Sequence, residues 1–172
     1  KIIDKVSSKL GSAYVSVHMR VEEDWKRHGD CYVSAENIVE KMSESPDFVR
    51  LKGEVRNKTG DTLKIFIASG AKEVSRKAWA AIEGVEVVDS ERDTEGLTWN
   101  QKALVDLELC RRSTIYAGTR ASSSFSDIVR FIRADRMSFA YGNDPQRNGA
   151  TVYGRFKEVP KFSCFIGGKA RG

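Results

Sequence analysis

"YVSVHMRVEEDW", residues 14–25, reads as a strand that runs straight into charge. Val15, Val17 and Met19 alternate with Tyr14, Ser16, His18 and Arg20, the period of two that sends neighbouring side chains to opposite faces of a sheet. His18 and Arg20 therefore leave on one side, about 7 Å apart along the strand. A strand that only fills a core would close on turn residues such as Gly or Asn. This one closes on an imidazole and a guanidinium, followed by Glu22, Glu23, Asp24 and Trp25. That pair suits a phosphate or the edge of a nucleotide. It equally suits an arginine that ends its strand in a salt bridge to Glu22 or Asp24.

Working outward, the chain alternates strand and helix. Residues 34–45, "SAENIVEKMSES", predict a helix capped by Ser34 and stopped by Pro46. The polar stretch "RLKGEVRNKTGD", residues 50–61, reads as loop. "TLKIFIASG", residues 62–70, is a mostly apolar second strand, buried on both faces. A helix follows in "AKEVSRKAWAAIEG", ending at Gly84 as a C′ glycine, and then a third strand, "VEVVDS". Thr98 and Gln101 have capping-box spacing at the start of the helix "TWNQKALVDLELCRRS". "TIYAG" is the fourth strand. In the last helix, "SSSFSDIVRFIRADR", Phe125, Ile128, Val129 and Ile132 recur at helical spacing.

This order predicts an α/β domain, a Rossmann-like, mostly parallel sheet with helices on both faces, over residues 1–136. Residues 137–172 are an extension on the same domain, a hairpin or a segment wrapped around the sheet. In such folds ligands bind outside the carboxyl ends of the strands, where the opening stretch ends.

The 172 residues carry a formal net charge of +5, which favours anionic partners. The basic residues are scattered rather than striped, against a dedicated nucleic-acid binder. No apolar run is long enough to cross a bilayer. Three cysteines, Cys31, Cys110 and Cys164, show no zinc spacing and allow one bridge at most. "NKT" at Asn57 is an N-glycosylation acceptor triplet. The G-x-G-x-x-G and P-loop fingerprints, a D-x-D clamp, H-x-x-x-H spacing and a G-x-S-x-G elbow are all missing, so metal, dinucleotide and hydrolase chemistry are not indicated.

Two further places could carry chemistry. In "GTRASSSFSD", residues 118–127, a strand gives way to a serine-rich helix start; Ser124 and Asp127 fit a capping-box variant. The first turn of that helix has unpaired N–H groups and a partial positive charge, which with serine hydroxyls makes a pocket for a diphosphate. Alternatively Ser124 only caps its helix. Asp106 falls in the middle of an apolar arc on a helical wheel, so its carboxylate needs a partner. Either Lys102, four residues back, or a ligand donor such as guanine N1–H would serve.

Together these residues resemble the GDP-fucose protein O-fucosyltransferase family, within the wider superfamily of the α1,6-fucosyltransferases. "VHMRVEEDW" is similar to the family's H-x-R strand and following Asp-Trp. "ALVDLELCRRSTIYAG" is similar to its Asp-bearing helix and next strand, and "SSSFSDIVRFIR" to its Ser-Ser-Phe-Ser/Thr helix start. "LKIFIASGAKEV" resembles the plant and algal branch, because "ASG" at 68–70 lacks the aspartates of the animal enzymes.

The resemblance spans about residues 13–135 and implies the C-terminal, nucleotide-sugar-binding half of a GT-B glycosyltransferase. It implies GDP-fucose as donor, inverting transfer to a hydroxyl of a protein or glycan acceptor, no metal or other cofactor, and residence in the ER or Golgi lumen. Arg20 would hold the diphosphate as the catalytic residue, and His18 would contact the nucleoside. Asp24 would lie among the substrate-binding residues, Asp106 would read guanine, and Ser123, Ser124, Phe125 and Ser126 would bind phosphate. Acceptor-side catalysis would sit in an N-terminal domain outside these residues, so this chain alone would bind donor more readily than transfer sugar. No nucleic-acid or membrane contact is implied. The alternative is a domain that keeps the fold as a nucleotide-sugar-binding or scaffold module without turnover.

Overall fold

The computed structural model describes residues 1–27, 31–88, 90–120, 123–133, 136–144, 150–155 and 159. Among them one sheet of six strands runs in the order β3-β2-β1-β4-β5-β6. Its members are β1 (Tyr14–His18), β2 (Leu63–Ala68), β3 (Val85–Val88), β4 (Ile115–Thr119), β5 (Ser138–Asp144) and β6 (Ala150–Arg155). All neighbours pair parallel except β5 and β6, which are antiparallel. The fold is α/β and Rossmann-like. β5 and β6, from the region read in sequence as a hairpin or a segment wrapped around the sheet, thus extend the same sheet.

Alternation along the strands divides the core. Val15, Val17, Ile65, Ile67, Ile115 and Ala117 meet Ile38, Met42, Phe48 and Trp79 on one face. These last come from α3 (Ala35–Ser43), α4 (Pro46–Thr59) and α5 (Lys72–Ala80). Tyr14, Phe66 and Tyr116 meet Val6, Leu109 and Val129 on the other, from α1 (Ile2–Leu10), α6 (Trp99–Arg112) and α7 (Ser124–Arg133). A four-residue helix, α2 (Glu23–Lys26), follows β1. The helices change faces between β3 and β4, and the chain returns from the sheet edge to lie beside β1. The carboxyl ends of β1 and β4 therefore flank the topological switch point, where open α/β sheets bind ligands.

Several sequence expectations need correction. The stretch 50–61 is not loop but most of α4, and Pro46 starts this helix instead of only stopping the one before. Proline suits the first helical turn because its missing N–H has no partner there in any case. Ser45 caps α4 by accepting from Phe48 N–H, and Gly60 ends it at φ 74°. Only Phe48 and Leu51 of α4 are buried, so its apolar stripe is too thin to stand out. Asn57 consequently lies in the last helical turn, exposed. Gly84 is not the C′ residue of α5, which stops at Ala80. The Thr98–Gln101 capping box is present in both directions.

In α7 the buried residues are Ser126, Val129 and Arg133, whereas Ile128 and Ile132 are 47% and 39% exposed. The apolar spacing was real, but the helix turns a serine and an arginine inward because both find partners. Arg133 donates to the carbonyls of Cys110, Arg111, Ser113, Thr114 and Met137 at 2.8–3.3 Å. It closes the carboxyl end of α6, where orphan carbonyls and the helix dipole favour a cation.

Candidate functional site

β1 delivers His18 to the switch point. The ring is nearly buried, its Nδ1 shares a 2.8 Å hydrogen bond with Ser126 Oγ, and it lies against Phe125 with centroids 4.6 Å apart. Burial, then the positive charge of Arg20, pushes the His18 pKa down to about 3. The imidazole is neutral at physiological pH, able to hydrogen-bond but not to act as an acid or an anion's counter-charge.

Close approach of α7 depends on Gly118 at the end of β4. A Cβ there would lie 2.6 Å from Ser126 Oγ and nearer still to the Tyr116 hydroxyl. Only glycine leaves room for the serine to reach His18. Ser123, just ahead of α7, caps it by accepting from Ser126 N–H at 3.4 Å. The cap is thus Ser123 and not Ser124; Ser124, the first helical residue, is exposed and makes no hydrogen bond among the described residues, at a helix start that favours anions.

The strand end itself is pinned from β5. Tyr141 donates its hydroxyl to His18 O (2.7 Å) and accepts from Arg20 N–H (3.1 Å), while Met19 N–H donates to Ala68 O (3.0 Å). Arg20 lies with its guanidinium 4.7 Å from the centre of the Trp25 ring and its Nε 3.8 Å from Glu22 Oε2. The contact with Glu22 is the ion pair that the sequence allowed. It is too long for a hydrogen bond. Both Arg20 Nε and Glu22 Oε2 are buried without a hydrogen-bond partner among the described residues. Glu22 accepts through its other oxygen from Gly70 N–H (2.9 Å), tying the loop after β2 to the loop after β1.

Asp106 stands apart from this group on α6. It is partly exposed, yet burial pushes its pKa up to about 6 against the pull of Lys72 and Lys102. Among the described residues it makes no hydrogen bond or ion pair. Lys102 is therefore a charge nearby rather than the bonded partner. Asp24 is exposed on α2 and also makes neither.

The fold thus brings together His18, Phe125, Ser126 and Ser123, with Arg20 acting on His18 through its charge. Asp106, Asp24 and Ser124 are not drawn into that cluster. Glu22, Trp25, Gly118 and Tyr141 belong to it and were missed as site residues. Glu22 entered the sequence reading only as a salt-bridge partner for Arg20, and Trp25 only within the Asp-Trp resemblance; no motif marks Tyr141. A cavity of about 390 Å³ lies at the other end of the sheet among Gly11, Leu51, Lys58, Thr62 and Lys64. It holds none of the converging groups. Among the described residues no group of three or more acidic, histidine or cysteine side chains could hold a metal. Cys31 is disulfide-bonded, whereas Cys110 is free and buried.

Fold and site define a doubly wound α/β domain whose polar groups gather at its switch point. No family model matches the sequence, and no curated protein matches it. Among solved structures, NodZ alpha-1,6-fucosyltransferase soaked with GDP-fucose is 17% identical at a TM-score of 0.48, over 89% of this chain and 46% of that one. Fucosyltransferase NodZ from Bradyrhizobium is 16% identical at a TM-score of 0.47, over 89% and 46%. POFUT1 in complex with GDP-fucose is 17% identical at a TM-score of 0.41, over 80% and 44%. The chain spans less than half the length of these structures. At such values the likeness assigns neither ligand nor activity.

Proposed function

We propose that this chain is the donor-binding half of an inverting, metal-independent fucosyltransferase-like enzyme, with GDP-fucose as donor. The observation that carries the reading is the meeting of two of its motifs at the switch point. The H-x-R strand end and the Ser-Ser-Phe-Ser helix start, 108 positions apart at His18 and Ser126, share a hydrogen bond there. A diphosphate at this crevice would find the first-turn N–H groups of α7, the Ser124 hydroxyl and the Arg20 guanidinium.

In the transfer, an acceptor hydroxyl oxygen bonds to the anomeric carbon as the bond from that carbon to the phosphate oxygen breaks. The electron pair stays on GDP, and fixed donors stabilise the charge that develops. Arg20 is the residue assigned to that charge, and neutral His18 is assigned to the nucleoside. Asp106, ionised above its pKa of about 6, can accept from guanine N1–H and the amino group. The base that takes the acceptor's proton and the surface that chooses the acceptor belong to a partner domain outside these residues. A lumenal ER or Golgi setting fits the disulfide at Cys31, which an oxidising compartment preserves.

Calorimetric titration with GDP and with ADP, each with and without EDTA, tests the reading. GDP is expected to bind at least tenfold tighter than ADP, undisturbed by the chelator. Equal affinities, or no binding of either nucleotide at millimolar concentration, would overturn it. A scaffold without turnover is favoured by one feature, the carboxylate of Glu22 already facing Arg20. Fucose transfer by the full-length protein excludes that alternative.

A further inference from the structure

The loop after β1 holds two buried polar atoms that face each other as an ion pair without a hydrogen bond among the described residues. Arg20 Nε and Glu22 Oε2 stand 3.8 Å apart, each without a hydrogen-bond partner among the described residues. An unsatisfied buried polar atom costs stability, and a guest that hydrogen-bonds to Arg20 would relieve part of that cost. Each side chain has one further contact. Arg20 rests on Trp25, and Glu22 is anchored by Gly70 N–H. Gly70 is itself shaped to this contact, since a Cβ there would come within 2.9 Å of Glu22 Oε1. The carboxylate is therefore held at the guanidinium by the backbone of the neighbouring loop, close enough for charge but too far for the bidentate pairing that would saturate an arginine.

We propose that Glu22 is the resident counter-ion of Arg20 and sets how tightly the crevice holds a diphosphate. The inference rests on the donor-binding reading above. A fixed negative charge beside Arg20 opposes every anion that arrives there, and opposes it more as the anion's charge grows. A free nucleoside diphosphate ends in a phosphate monoester that loses a second proton near pH 6. Its sugar ester lacks that ionisation. Glu22 thus weakens the spent nucleotide more than the donor, and favours release of product over loss of substrate.

Glu22→Gln keeps an oxygen for Gly70 N–H and removes the charge, so the loop stays anchored. Titrations of the wild-type chain and this variant with inorganic pyrophosphate, GDP and GDP-fucose decide the matter, with thermal melting to verify that both are folded. The variant is expected to bind pyrophosphate and GDP on the order of fivefold to tenfold more tightly, as loss of one nearby charge would give. GDP-fucose is expected to gain less, and guanosine nothing. Unchanged or weaker pyrophosphate binding in a folded variant overturns the proposal, as does failure of both proteins to bind it. If ADP binds as well as GDP while the variant still tightens pyrophosphate, guanine recognition fails and the role of Glu22 stands.

Discussion

Two partly or wholly buried arginines sit in opposite conditions, and the contrast separates structure from function in this fold. Arg133 is 2% exposed and donates to five backbone carbonyls around the end of α6, with two serine hydroxyls in addition. Nothing more could bind to it. Burial lowers its pKa to about 10, still far above physiological pH, so the cation is retained. Arg20, at the end of β1, has a tryptophan beneath it, a carboxylate beyond hydrogen-bond range and a buried Nε with no partner. A saturated guanidinium staples a fold together. An unsaturated one, stacked on an aromatic ring, keeps donors free, which is what the proposed phosphate role requires.

Breaking each arginine should therefore break a different property. Arg133→Met is expected to cost at least about 3 kcal/mol of stability, because several buried carbonyls lose their donors together. Urea unfolding measures this, and a loss below about 1 kcal/mol would mean that water replaces the guanidinium there. Arg20→Ala is expected to shift stability by less than about 1 kcal/mol, the usual scale of a half-exposed ion pair. The same change should weaken GDP roughly tenfold to a hundredfold, the worth of a charged hydrogen bond, and leave guanosine unaffected. Equal losses for both ligands would remove the phosphate from Arg20.

Asp106 sharpens the contrast through pH. Its folded-state pKa, about 6, lies above the ordinary 3.8. The group therefore favours the folded chain most below pH 3.8, and that contribution is lost as pH rises through 6. Unfolding free energy should fall across this window in the wild-type chain and stay flatter in Asp106→Asn. Discrimination of GDP from ADP should fall about tenfold in the same variant, since a charged acceptor becomes an amide. The smallest effect is expected from Ser126→Ala, which strands His18 Nδ1 at a cost of about 1 kcal/mol. The His18 ring, with a pKa near 3, should show no titration between pH 5 and 8 in NMR spectra of the wild-type chain. A His18 pKa near 6 would contradict its burial against α7.

Much of this was readable from residue order. Alternation in β1, the apolar run of β2 and the Thr98–Gln101 box each reported local physics, and the structure keeps all three. The failures share a cause: the deciding partner lies far away in sequence. No motif marks Arg133 as buried, because the five carbonyls that hold it lie outside its own helix. Pro46 stops one helix and starts the next, which only the three-dimensional path distinguishes. Tyr141 pins the end of β1 across 123 positions from His18 and has no motif of its own. The site was legible where a motif carried its own chemistry, as at His18 and Ser126. It was not legible where a residue serves to place another, as Tyr141 and Gly118 do.

Backbone amide mapping while GDP is added tests most directly where an anion docks. Shifts centred on residues 18–25 and 118–127, at the carboxyl ends of β1 and β4, are the predicted outcome. Shifts centred instead on Gly11, Lys58 and Lys64, around the cavity at the opposite end of the sheet, would contradict it.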